Sequence, residues 1–263
     1  MTAVEELARA LHRARRDRVA IPPPTDAWPD MTAADAYAVQ QHLVGLLQAD
    51  GEGEVVGYKL GLTSRPMQEL LGVDQPDYGP VLAAHVRPAG ARIDVGRLIQ
   101  PKVEAEIAIV LREPLSGPHC TALDARRAAA GAVAAIEIVD SRVENWRIRL
   151  ADTVADLASS GAIALSSRLA PLEGLDPRLI GMVFTRNGEL VATGAGAAAL
   201  GDPLHAVAWL ANTLHPLGAT LAAGHVVMTG ALHAAVPLGE GDVFRAEFDR
   251  LGPVSVVAVR EGS

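Results

Sequence analysis

One strand-like run constrains this chain more than any other feature: Pro101-Lys102-Val103-Glu104-Ala105-Glu106-Ile107-Ala108-Ile109-Val110-Leu111. Strand side chains alternate faces, so Val103, Ala105, Ile107 and Ile109 point one way and Glu104 and Glu106 share the other. Like charges so close raise each other's pKa unless a cation lies between them, and carboxylate oxygens suit Mg²⁺ or Mn²⁺. On this run alone, a solvated strand face is the plainer reading. A third carboxylate changes the balance, because Ala134-Ala135-Ile136-Glu137-Ile138-Val139-Asp140 carries Glu137 inside an almost wholly apolar strand. A buried glutamate needs a partner. Either it pairs with a cation such as Arg142, or it converges with Glu104 and Glu106 on a site with room for water or a chelating substrate.

Around these runs the chain divides unevenly. Residues 4–18 and 32–48 read as helices; the second has Thr32 as N-cap, Asp35 in capping-box position, and Ala36, Val39, Leu43 and Leu47 along one face. Pro22-Pro23-Pro24 separates them, and residues 49–54 could hinge them to the remainder of the chain. Short β-rich pieces then dominate: 55–60, 81–82, 103–111, 134–140, 182–185, 226–229, 243–248 and 254–259. Few helices are expected in this region, the clear ones near 121–135, running into a strand, and at 203–214, where Asp202 caps and Pro203 opens the first turn. Strands and helices do not alternate, so a doubly wound parallel sheet is disfavoured. The expectation is an α+β chain, with a helical part over 1–54 and a β-rich catalytic domain over 55–263 built on a mixed, rolled sheet.

Lys59, in Gly57-Tyr58-Lys59-Leu60-Gly61-Leu62-Thr63-Ser64, is a single cation in an apolar, glycine-flanked strand end. It could balance the carboxylates, hold a substrate anion or move a proton; the plain alternative is a lysine with its head in water. Asp74-Gln75-Pro76-Asp77-Tyr78-Gly79 has turn composition. Gly194 to Gly201 lacks dinucleotide-loop spacing, the eight histidines form no zinc pattern, and lone Cys120 can form no internal disulfide. With 23 basic against 31 acidic residues, nucleic acid is not an expected partner. No apolar run spans a membrane, and the opening MTAVEELARALHRARRDR lacks a signal-like core, so the cytoplasm is expected.

Taken together, Gly57 to Ser64, Leu71 to Gly79, Ile99 to Ile107, Glu137-Ile138-Val139-Asp140-Ser141-Arg142 and Asp152 to Asp156 resemble the hydratase and decarboxylase group of the fumarylacetoacetate hydrolase superfamily. The resemblance runs from about Asp30 to Val259. It implies a β-roll or barrel-like core with an N-terminal helical part, and Mg²⁺ or Mn²⁺ held by Glu104, Glu106 and Glu137. It also implies Lys59 and Asp77 as the catalytic pair, with Leu62, Ser159 and Ser160 against a small 2-oxo or 2-hydroxy-dienoic acid. The implied reaction is hydration of 2-hydroxypenta-2,4-dienoate, the alternatives being decarboxylation of 4-oxalocrotonate or a non-catalytic partner subunit. A homo-oligomer, associated with a pathway partner enzyme, goes with the resemblance. One departure stands out: relatives usually read Asp-Asn-Ala-Ser where this chain has Asp156-Leu157-Ala158-Ser159, which removes an amide expected near the pocket.

Overall fold

A computed structural model describes residues 2–65, 68–69 and 72–261 of the chain. Leu71, in one of the motifs above, and the last two residues of the β-rich part lie outside them. Two helices open the chain, α1 (Ala3–Asp17) and α3 (Ala33–Ala49), with the short α2 (Pro24–Ala27) between. Further along come α4 (Ala122–Ala128), α5 (Leu150–Ala155) and α6 (Pro203–Leu214). The capping box read at Thr32 and Asp35 is present in both directions: Thr32 N donates to Asp35 at 2.9 Å and Asp35 N to Thr32 Oγ1 at 3.2 Å. Ala36, Val39, Leu43 and Leu47 are buried in one apolar cluster with Ala8 and Leu11 of α1. That cluster takes in Leu82, Val154 and Ala155 from the β-rich part, which seats the helical layer on the body.

The larger sheet contains β1 (Val55–Gly61), β2 (Asp77–Leu82), β3 (Val86–Pro88), β5 (Lys102–Leu111), β6 (Ala129–Val139), β7 (Ser160–Leu165) and β10 (Val226–Ala231), in the order β2-β1-β10-β5-β6-β7-β3, with β11 (Val236–Pro237) also on β5. The smaller sheet runs β4 (Ala91–Asp94), β13 (Gly252–Val259), β12 (Val243–Phe248), β8 (Gly181–Arg186), β9 (Glu189–Ala195). Parallel pairs (β1 with β10, β3 with β7, β4 with β13) mix with antiparallel ones. The strand paths are open rather than closed into a barrel. The larger sheet nevertheless rolls on itself: Val81 of edge strand β2, Ile163 of β7, Ala108, Val133, Ala135 and Met228 share one apolar cluster, with Val86 of the opposite edge packed against it.

The expected alternation on β5 holds, but its consequence differs. Val103, Ala105, Ile107 and Ile109 join the main core with the small sheet's Phe184, Phe244 and Phe248 and with Leu204, Val207 and Leu210 of α6. The carboxylate face turns into the roll instead of meeting bulk solvent: Glu106 is fully buried, and Glu104 is partly buried at a cavity. Two local expectations are corrected. The helix expected near 121–135 is α4 and stops at Ala128, because the alanine-rich run from Ala129 is drawn into β6 between β5 and β7. The turn expected up to Gly79 gives way at Asp77 to the fully buried β2, which pairs with β1. Among the described residues no helix is long and apolar enough to cross a membrane.

Candidate active site and metal centre

Register brings the three glutamates together. Glu104 and Glu137 are direct partners across β5 and β6, and Glu106 lies two residues along the same face of β5. Each offers an oxygen within 4.8 Å of the others. Glu106 and Glu137 are fully buried, and Glu106 Oε1 and both Glu137 oxygens have no hydrogen-bond partner. Burial pushes all three carboxyls up, Glu106 most strongly because Glu137 and Glu104 add repulsion, and Glu137 to about 7 against the pull of Lys59. An acidic trio with two members fully buried and three orphaned oxygens among them is a donor set for a hard divalent cation, whose charge would remove the repulsion. These residues fit such an ion.

A bulge makes room beside them. Met228 pairs with Ala108 and Ala231 with Glu106, so three steps along β10 span two along β5. Gly230 in the bulge has φ +115°, and a Cβ there would stand 1.9 Å from Thr63 Oγ1. Its amide donates to Glu106 Oε2 at 2.9 Å.

Lys59 enters from β1 and is 3% exposed, so its head is not in water. Its Nζ donates to Ala158 O at 2.8 Å and sits 3.4 Å from Glu137 Oε1. Burial alone would disfavour the ammonium, but Glu137, Asp77, Glu104 and Glu106 more than offset it and the pKa is raised. Asp77 is also buried, pushed up by burial against the pull of Lys59, with Oδ1 unpartnered. The close approach needs Gly61, where a Cβ would stand 2.2 Å from Asp77 Oδ1.

Glu137 does not pair with Arg142. That arginine is bound instead to Asp156: its backbone N donates to Oδ2 at 2.9 Å, while its guanidinium reaches Oδ1, Asp156 O and Ser160 O. It thus holds both ends of a three-residue turn, Leu157, Ala158 and Ser159, whose φ values of +57°, +49° and +56° are all left-handed. Three such non-glycine residues in sequence are backbone strain stored at the site. The turn presents Ala158 O to Lys59.

A cavity of about 510 Å³ opens on this group, lined by Lys59, Leu62, Asp77, Glu104, Thr153 and Ser159. Ser160 and Leu157 do not line it. Ser160 is fully buried behind it with its hydroxyl unpartnered. Leu157 packs with Leu82 and Ala155 beneath the helical layer, so its side chain replaces no pocket amide here. Sequence reasoning missed Lys102 and Trp146, also in the wall, where Lys102 Nζ lies 4.1 Å from the Trp146 ring centroid. The two-residue period of β5 puts Lys102 on the face of Glu104 and could have found it; nothing local marks Trp146. His233 lines the wall as a fixed neutral imidazole, accepting from Ala105 N at 2.9 Å and donating from Nδ1 to Ala234 O at 2.7 Å.

Residues 65–258 match the fumarylacetoacetate (FAA) hydrolase C-terminal family. The chain is 44% identical over 252 residues to 2-keto-4-pentenoate hydratase of Burkholderia vietnamiensis, covering 96% of each. It is 45% identical over 254 residues to the TodF product hydratase of Pseudomonas putida, covering 96% of this chain and 94% of that one. Among solved structures it is similar to 4-oxalocrotonate decarboxylase from Pseudomonas putida G7, complexed with magnesium and adipate, at TM-score 0.94, 40% identity and 97% coverage of both chains. On the family match and these near-full-length likenesses, the chain belongs to the fumarylacetoacetate hydrolase family.

Proposed function

We propose that this chain is a metal-dependent hydro-lyase that adds water to 2-hydroxypenta-2,4-dienoate, the dienol of 2-oxopent-4-enoate, and yields 4-hydroxy-2-oxopentanoate. The observation that carries this reading is the Glu104–Glu106–Glu137 trio, in which the fully buried Glu106 and Glu137 keep orphaned oxygens and Glu104 lines one cavity with Lys59 and Asp77. These glutamates would hold Mg²⁺ or Mn²⁺, which when bound stabilises negative charge on the substrate's 2-oxygen.

The chain's own residues supply positioning and proton traffic. Hydration needs loss of the 2-hydroxyl proton and gain of one at C5, giving a conjugated 2-oxo alkene; hydroxide then joins C4 and a proton C3. Asp77, raised by burial, holds a proton nearer neutrality than an ordinary carboxyl and is the group suited to exchange it. Lys59, kept charged by its neighbours and fixed on Ala158 O, orients the reacting oxygens and offsets the acidic cluster. Leu62 and Ile148 give the hydrocarbon end an apolar wall, and Ser159 contributes a polar edge.

The second reading, decarboxylation of 4-oxalocrotonate, is favoured by the decarboxylase structure's likeness to this chain. It would use the same stabilised enolate, formed by loss of CO₂. The two separate in one assay: strip the metal, restore Mg²⁺ or Mn²⁺, and follow the ultraviolet loss of both substrates with CO₂ measured alongside. Metal-dependent conversion of the dienoate without CO₂ is expected. CO₂ from 4-oxalocrotonate would promote the decarboxylase, and silence on both would point to a different 2-oxo acid substrate or to a scaffold.

A further inference from the structure

The cavity wall carries two lysines, and only one of them is spent. Lys59 is bound by Glu137 and Ala158 O. Lys102 forms no salt bridge or side-chain hydrogen bond among the described residues; its ammonium rests on the Trp146 ring at 4.1 Å. An aromatic face attracts a cation without occupying its N–H donors, so these stay available to a ligand. His233, with both ring nitrogens engaged, adds no charge.

Position matters as much as charge. Lys102 and Glu104 are two residues apart on one strand face, about 7 Å along β5, so the lysine can reach a small anion seated at the glutamate trio. Trp146 is brought there by a strained segment: Asn145 and Trp146 have φ +56° and +54°, rare for an indole residue. The indole Nε1 donates to Gln100 O at 3.1 Å, which fixes the ring. Ile148, two residues on, completes this side of the wall.

We infer that Lys102, held in place by Trp146, is the anchor for the carboxylate of the substrate, the end next to the metal centre and not a distal acid group. The inference rests on the proposed reading only for the ligand class, a small 2-oxo acid.

The test is calorimetric binding of 2-oxopentanoate, a saturated acid that cannot be hydrated, and of adipate to the Mn²⁺-loaded protein and its Lys102→Met and Lys102→Arg variants. Loss of a charge-assisted hydrogen bond predicts that Lys102→Met loosens 2-oxopentanoate about 10- to 100-fold, with Lys102→Arg recovering much of it. Mn²⁺ affinity, measured on the same variants, is expected to stay near the parent value. Unchanged 2-oxopentanoate binding, an effect confined to adipate, or loss of Mn²⁺ together with the ligand would each overturn the assignment. Because binding is read without turnover, a parent protein that binds 2-oxopentanoate through Lys102 yet hydrates nothing would sink the hydratase reading and leave the anchor standing.

Discussion

Burial, more than sequence proximity, sets the chemistry of single residues in this site. With Glu137 raised to about 7 and Glu106 also pushed well up by burial and by its acidic neighbours, a cation entering the metal-free trio must displace protons near neutral pH. Cation affinity is therefore expected to fall as pH drops below about 7, with proton release on binding measurable by calorimetry in two buffers. For the metal-free chain the sign reverses: carboxyls with raised folded pKa values add stability that is full below their ordinary 4.5 and lost as pH rises through about 7. In chelator, the protein should melt higher at pH 6 than at pH 8. Leu157 allows a separate check. Leu157→Asn relieves left-handed strain of roughly 1–2 kcal/mol but buries an amide and forfeits apolar packing, so a net loss of about 2 kcal/mol is expected in urea unfolding, with KM unchanged because the side chain faces the helical layer. Glu104, Glu106 and Glu137 were readable as candidates because a two-residue period and an acid in an apolar run are local signals. Lys59 was readable as a cation that could balance the carboxylates; that it, and not Arg142, stands beside Glu137 was not, since Lys59 and Glu137 stand on β1 and β6, strands distant in the chain. Only the order of strands in the rolled sheet brings them together.

At the scale of elements, the site depends on places where regular structure is interrupted. The β10 bulge turns an amide toward Glu106, and the left-handed turn at 157–159 turns a carbonyl toward Lys59. Gly230→Ala tests the first directly, because its Cβ would meet Thr63 Oγ1 at 1.9 Å on a backbone that alanine resists. Loss of nearly all turnover, with weakened Mn²⁺ binding and little change in far-ultraviolet circular dichroism, is the expected outcome; full activity would mean the bulge is not needed. Helix starts were legible at Thr32 and Asp202, where a side chain closes its own cap, but not at α5, whose first turn is closed by Asp152 accepting from Arg149 N behind no Ser, Thr, Asp or Asn N-cap. The end of α4 was not, because alanine suits a helix and the buried centre of a sheet alike, and the neighbouring strands decide. The Leu157–Ser159 turn was also hidden, since its residues carry no preference for left-handed backbone.

For the molecule as a whole, the rolled sheet has two distinct insides. One face joins the small sheet and α6 in the main core, and the other encloses a small apolar cluster that ends at the acidic trio. The helical layer closes the body over Leu157 and Leu82, behind the turn that holds Lys59. The mixed, rolled architecture was foreseeable from short strands without regular helices, whereas the approach of the two sheet edges depends on contacts between distant strands. The central claim is that this interior holds one divalent cation on three glutamates. Mn²⁺ titration followed by electron paramagnetic resonance tests it most directly, using the parent chain and Glu106→Gln. One tightly bound Mn²⁺ per chain is predicted, lost in Glu106→Gln while the fold persists; equal binding by both proteins, or none by the parent, would contradict it.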